Sequence, residues 1–161
     1  MNRTNKLYEY INGELLTSAN IKKRGDAYLR GAYLHLYGVS NMAAMIAMKR
    51  GENIELAMIA GLLHDFYGYT SVYDENHARN GAVLAKEILE HLNITSDEET
   101  QVICAAIHNH GDKDITGDAF DEVIKDADVM HHCFYNITSQ VKPHEAERFA
   151  KLKIEFGLGI S

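Results

Sequence analysis

At 161 residues and a formal net charge of −7, the chain is long enough to bury a core but too acidic for a general nucleic-acid-binding surface. A small anionic ligand remains compatible with this balance, because a local metal ion or basic cluster can dominate one pocket. The 46% hydrophobic fraction, the single proline and the lack of low-complexity runs argue against long disordered segments.

The sequence shows no signal for export or for membrane insertion. The first residues, Met1 to Lys6, lead into a mixed helix rather than an apolar leader segment, and no apolar run approaches the roughly 18 residues of a membrane span. Cys104 and Cys133 both lie in apolar helical stretches, which favours buried free thiols over a disulfide or a metal role. We therefore expect a cytoplasmic protein with no membrane partner.

Helical periodicity runs through the whole chain. The first half is predicted to form a helix over 7–16, a polar connector or second short helix over 17–25, a long helix over 26–50, a helix over 53–66 and a loop over 68–75. The second half is predicted to form a helix over 78–92, a helix over 96–109, a loop over 111–117, a helix over 118–135 and a last helix over 143–156.

Capping residues support several of these boundaries. Asp26 and Asn53 can each cap a helix start, and Gly51 can end the long helix. Ser96 with Glu99 has the spacing of a capping box. Because no alternating run is long enough for a sheet, the predicted fold class is all-α.

Six metal-competent side chains fall on or beside the inward faces of these helices. They are His35, His64, Asp65, His77, His110 and Asp128. Singly, each is more readily explained as a satisfied core histidine or a helix cap. Together, converging buried imidazole and carboxylate groups are what a divalent metal site requires.

These residues follow a fixed order along the chain: a His, a His-Asp doublet, two further His and a late Asp. In this order the chain resembles the HD-domain phosphohydrolase superfamily. The doublet His64-Asp65 follows the small apolar run Ile59 to Leu63, and the late Asp lies in Lys125-Asp126-Ala127-Asp128. The segments around His77 and His110 look like the extra His motifs of two-metal members, most of all the bacterial branch that splits diadenosine tetraphosphate. The resemblance spans about 26–131 and implies a single compact HD-domain bundle of about six to seven helices over 1–161, with the terminal helices packing on the motif core.

This resemblance also implies a metal centre of one or two divalent ions, with Asp65 bridging two positions. The first position takes His35, His64, Asp65 and Asp128, and the second takes Asp65, His77 and His110. Asp65 and His64 are the residues expected at the catalytic centre. Mixed His and carboxylate ligands suit Fe, Mn, Zn, Co or Ni, whereas Mg alone would prefer oxygen ligands.

Neighbouring residues compete for two of these roles. His110 fits the inward stripe and the Ile-x-x-His spacing better than His108. Asp128 lies on the stripe four residues after Ile124, whereas Asp126 is expected to support a ligand histidine or to be solvated.

Substrate contacts are predicted mainly from closeness in sequence to the ligands. Candidate substrate-binding groups are Arg30, Arg79, Lys113 and His108, although each of the three cations is more readily explained as an ordinary surface charge. Tyr67, Tyr69 and Tyr73 could line a base or sugar pocket or simply cover the core. His131 and His132 are expected to pack or to line the pocket, and His91 and His144 to lie on helix surfaces.

Three classes of function fit this pattern. The expected class is a metal-dependent phosphohydrolase that acts on a nucleotide or other small phosphoester or phosphoanhydride through a metal-activated water. A di-iron oxygenase on the same scaffold and a metal-retaining, non-catalytic ligand-binding protein are the alternatives. The substrate and the oligomeric state stay open, and a nucleic-acid polymer is not an expected partner.

Overall fold

The structure is a computed structural model that describes residues 2–72, 76–135 and 140–159. These residues form helices α1 (Arg3–Thr17), α2 (Ala19–Arg24), α3 (Asp26–Arg50), α4 (Ile54–Leu63), α5 (Phe66–Thr70), α6 (His77–Leu92), α7 (Asp97–Asn109), α8 (Ala119–Tyr135) and α9 (Ala146–Glu155). A short 3-10 helix, Pro143–Glu145, precedes α9. No strand occurs in these ranges, so the predicted all-α class is confirmed.

The apolar helix α4 lies at the centre of the bundle. It packs mainly against α3, and α3 also packs along α8. Helix α7 contacts both α4 and α8, and α6 packs on α7. Seven of the ten residues of α4 are buried, including Ile59, Leu62 and Leu63, which explains why its sequence has no polar face.

Gly61 permits the close approach of α4 to α3. A Cβ atom at this position would lie 2.8 Å from the Cα atom of Ser40 and 3.2 Å from the carbonyl carbon of Val39. Both neighbours are backbone atoms of α3, so they cannot rotate away as the end of a side chain can. The two helices that carry the central histidines are therefore in backbone contact.

Several predicted boundaries are confirmed. Asn53 caps α4 by accepting from the amide of Leu56, and Gly51 ends α3 in the left-handed region with φ 76°. Both hydrogen bonds of the capping box between Ser96 and Glu99 are formed.

Other boundaries differ from the prediction. Asp26 is the first residue of α3 rather than its cap. In the segment 17–25, predicted as a polar connector or a second short helix, the structure has the short helix α2. The predicted helix over 53–66 is interrupted after Leu63, and part of the predicted loop forms α5. No helix among the described residues is both long enough and apolar enough to cross a lipid bilayer.

Candidate metal centre

The break between α4 and α5 presents the His-Asp doublet. His64 follows the last residue of α4 and is fully buried, and Asp65 (φ −114°, ψ 8°) precedes α5. The Nδ1 atom of His64 lies 2.7 Å from the carbonyl oxygen of Gly61, to which it donates. This bond keeps a proton on Nδ1 and turns Nε2 towards the interior of the site, where a metal ion would bind that atom in place of a proton.

A first group of donor atoms surrounds this lone pair. The Nε2 atom of His35 lies 3.1 Å from Nε2 of His64 and 3.1 Å from Oδ2 of Asp65. The Oδ1 atom of Asp128 lies 3.7 Å from the His35 nitrogen and 3.8 Å from the His64 nitrogen. Ligand atoms at about 2.0–2.2 Å from one ion lie roughly 3–3.5 Å from each other, so this spacing is close to that of a coordination shell.

A second group faces the other oxygen of Asp65. The Nε2 atom of His110 lies 3.2 Å from Oδ1 of Asp65, and that of His77 lies 3.7 Å from the same oxygen. His110 repeats the arrangement of His64, because its Nδ1 atom donates to the carbonyl of Ile107 at 2.7 Å. The two oxygens of Asp65 thus point to two separate groups of imidazoles.

Two carboxylate oxygens in this cluster accept no hydrogen bond. Among the described side chains, Oδ1 of Asp65 and Oδ1 of Asp128 are the buried polar atoms with no hydrogen bond. A buried acceptor without a donor is costly, and a divalent cation would satisfy both atoms. The donor set and these two atoms therefore fit a divalent metal, and the groups His35–His64–Asp65 and Asp65–His77–His110 both have ligand spacing.

The electrostatics of the cluster favour a positive charge at its centre. Burial alone would lower the pKa of His64, but the carboxylates of Asp65 and Asp128 outweigh it and raise that pKa to about 10. Burial likewise opposes ionisation of both carboxyl groups, yet the neighbouring histidines, joined at Asp128 by Lys113, hold both pKa values well below the usual range. The Nζ atom of Lys113 lies 2.7 Å from Oδ2 of Asp128.

His132 was predicted to pack or to line the pocket, but not to have the position of a metal ligand. Its Nε2 atom lies 3.3 Å from Oδ1 of Asp128, and its Nδ1 atom lies 2.9 Å from Oε1 of the buried Glu145. With His35 and Asp128 it forms a third group of ligand spacing. The available signal was its position four residues after Asp128, on the same face of α8.

Several side chains predicted to bind substrate are exposed or already have a partner. Arg30, Arg79 and His108 are exposed, whereas Lys113 is paired with Asp128. Tyr73 lies outside the described residues. The substrate roles of these residues stay predictions.

Asp126 neither supports a ligand histidine nor is solvated. It accepts from Arg50 at 2.7 Å and from Arg148 at 3.0 Å, in a polar network between α3, α8 and α9. The prediction for this residue was wrong because the docking of α9 cannot be read from local spacing. Cys104 and Cys133 are free thiols, each partly buried.

Comparison with known families agrees with this geometry. The family model of the HD domain matches residues 32–133, so the chain belongs to the HD-domain family. This membership indicates the superfamily of metal-dependent phosphohydrolases, and the His and Asp groups described above could hold the metal.

Two curated proteins resemble part of the chain. Ribonuclease Y of Treponema denticola is 32% identical over 103 residues, which cover 60% of this chain and 19% of the relative. Ribonuclease Y 1 of Pediococcus pentosaceus is 33% identical over 81 residues, or 50% of this chain and 16% of the relative. The chain thus matches less than a fifth of the length of these relatives. No solved structure gives a significant match.

Proposed function

We propose that the protein is a metal-dependent phosphohydrolase that acts on a nucleotide or another small phosphoester or phosphoanhydride. The observation that carries the proposal is the position of Asp65. Its Oδ2 atom faces one group of imidazoles, and its Oδ1 atom, which accepts no hydrogen bond, faces another. A carboxylate shared between two cation positions is the arrangement of two-metal phosphoester hydrolases.

The proposed ligands fall into two positions. The first takes His35, His64, Asp65 and Asp128, with His132 as a further candidate, and the second takes Asp65, His77 and His110. Divalent Fe, Mn, Zn, Co or Ni bound there would supply an activated water and neutralise charge on the phosphoryl group.

The protein residues have defined tasks in this proposal. The carbonyls of Gly61 and Ile107 hold the protons of His64 and His110 on Nδ1, so that both Nε2 atoms stay available. Lys113 balances the charge of Asp128 from the side opposite the ligand oxygen.

Access to the centre runs beside two tyrosines. A cavity of about 280 Å³ is lined by Tyr28, Asp65, Gly68, Tyr69 and His77. The rings of Tyr28 and Tyr69 lie 5.4 Å apart, and the Tyr28 hydroxyl donates to the carbonyl of Gly68 at 3.4 Å. Aromatic walls next to Asp65 suit the base or sugar of a nucleotide whose phosphate reaches the metal positions.

RNA is a second candidate substrate, because both curated relatives are ribonucleases by name. The net charge of −7 disfavours a broad nucleic-acid surface, so an RNA substrate would enter as a short single-stranded end. The phosphodiester chemistry at the centre would be the same.

The test is a hydrolysis panel on protein reconstituted separately with Mn²⁺, Fe²⁺, Co²⁺, Ni²⁺ and Zn²⁺. The substrates are p-nitrophenyl phosphate, bis-p-nitrophenyl phosphate, nucleoside phosphates, dinucleoside polyphosphates and an end-labelled RNA oligomer. We expect phosphoester cleavage that His64→Ala abolishes and that His91→Ala, which replaces an exposed histidine of α6, leaves unchanged. If the protein reconstituted with Fe²⁺ consumes oxygen but hydrolyses none of these substrates, the alternative of a di-iron oxygenase is favoured.

A further inference from the structure

His131 belongs to neither proposed metal position, yet it faces one of the ligands directly. Its Nδ1 atom lies 3.2 Å from the Nδ1 atom of His35, and the two rings are nearly perpendicular at 72°. Both residues are buried, between α3 and α8. The contact is therefore made on the side of His35 that points away from His64 and Asp65.

Proton placement on His35 decides whether it can bind a cation. Its Nε2 atom faces His64, Asp65 and Asp128, so this atom needs a free lone pair. The ring proton must then lie on Nδ1, and a buried N–H requires an acceptor. The Nδ1 atom of His131, 3.2 Å away, is placed to accept it.

The position of His35 within its helix explains why a side chain is needed. His64 and His110 each follow the last residue of a helix, where the carbonyls of Gly61 and Ile107 have no amide partner of their own and can accept. His35 lies inside the 25-residue helix α3, whose carbonyls accept from amides one turn later. An acceptor for its Nδ1–H must come from another element.

His131 can accept this proton. A neutral imidazole has one N–H and one lone pair, so the Nδ1 atom of His131 accepts when its own proton lies on Nε2.

Gly38 makes room for this ring. A Cβ atom at Gly38 would overlap the Cδ2 and Nε2 atoms of His131. Glycine inside a helix costs about 0.5–1 kcal/mol relative to alanine. The His131 ring gives this glycine a steric reason that Gly31, on the same helix with open space around it, does not have.

We propose that His131 is a positioning residue of the first metal position, which accepts the Nδ1–H of His35 in a space provided by Gly38. The ligand tautomer and ring orientation of His35 are then fixed by hydrogen bonding from α8. This inference rests on the proposed function only in that His35 binds the ion.

Two substitutions at His131 separate hydrogen bonding from packing. His131→Phe keeps a ring of similar size but cannot accept, whereas His131→Asn restores an acceptor and a donor in similar places. The readouts are Zn²⁺ and Mn²⁺ affinity, by competition with a chromogenic chelator, and thermal unfolding of the metal-free protein. We expect affinity to fall about 10–100-fold in His131→Phe, as is typical for loss of a group that orients a ligand, and to return to within a few-fold of wild type in His131→Asn.

Gly38→Ala and Gly31→Ala form a matched pair in one helix. We expect the first to weaken metal binding like His131→Phe, because the new methyl group displaces the His131 ring, and the second to leave binding unchanged. Equal affinity in wild type and His131→Phe would overturn the inference while leaving the metal centre intact. Equal losses in His131→Phe and His131→Asn would also overturn it, since packing alone would then matter. Wild-type protein that binds neither ion would overturn the metal centre itself.

Discussion

Gly61→Ala tests whether the metal centre depends on the backbone contact between α3 and α4. The added Cβ atom would meet the Cα atom of Ser40 at 2.8 Å, whereas ordinary contact begins at 3.4 Å, so the helices must separate by about 0.6 Å or more at this point. Overpacking of this kind costs about 1–3 kcal/mol. At this chain length that corresponds to about 2–4 °C in Tm per kcal/mol.

The same displacement reaches the ligands. Gly61 lies three residues before His64 and holds its Nδ1 proton, and Ser40 lies five residues after His35. Since the two Nε2 atoms are only 3.1 Å apart, a shift of this size changes the spacing that one ion would share. We therefore expect weaker metal binding together with a lower Tm.

The assay compares wild type, Gly61→Ala and Gly31→Ala by thermal unfolding without metal and by metal titration. Gly31 lies in α3 with nothing within 4 Å of an added Cβ, so alanine there should be neutral or slightly stabilising. A Gly61→Ala variant that melts and binds metal like Gly31→Ala would refute the reasoning, because the backbone contact would then carry no constraint.

Three further substitutions address the charges of the site and of the α8–α9 network. Asp65→Asn keeps the shape of the side chain but removes the charge shared by both groups, so metal content should fall at both positions; retention of two ions would contradict the bridging role. Lys113→Met removes the ammonium group that pairs with the carboxylate of Asp128. It should lower the free energy of unfolding in urea by roughly 3–5 kcal/mol without metal, and by less with metal bound. Equal losses in both states would argue against an ion at Asp128. Burial alone would raise the pKa of Glu122, but Arg148 and its other partners lower it to about 2, so this stabilisation is present above the unfolded value of 4.5 and is lost as pH falls from 4.5 towards 2. The Tm difference between wild type and Arg148→Met should shrink over that range, and a constant difference would contradict the assignment.

Local signals predicted much of the fold. The cap at Asn53, the left-handed Gly51 and the capping box at Ser96 depend on residues within one turn of each other, and all three are formed. The break after Leu63 was not predicted, because the apolar pattern continues through Phe66 and gives no sign that the backbone changes direction at Asp65. That change of direction lets the two carboxylate oxygens face different groups.

In the candidate site, too, local spacing predicted some positions and not others. Helical spacing favoured His110 over His108, and the structure brings His110 to Asp65 while His108 is exposed. Asp126 accepts from Arg148 of α9 as well as from Arg50 of α3, and His132 contacts Glu145 of the 3-10 helix before α9. These contacts depend on how distant segments dock, and spacing within one helix carries no information about that.

The central claim is that the His and Asp groups around Asp65 hold a divalent metal that is needed for phosphoester hydrolysis. Elemental analysis of wild type, His64→Ala and His91→Ala, purified without chelator, tests it most directly when phosphate release is measured on the same samples. We predict near-stoichiometric Fe, Mn, Zn, Co or Ni, as one or two ions, in wild type and His91→Ala, and loss of both metal and phosphate release in His64→Ala. Wild-type protein that stays metal-free after reconstitution with each of these ions would contradict the account.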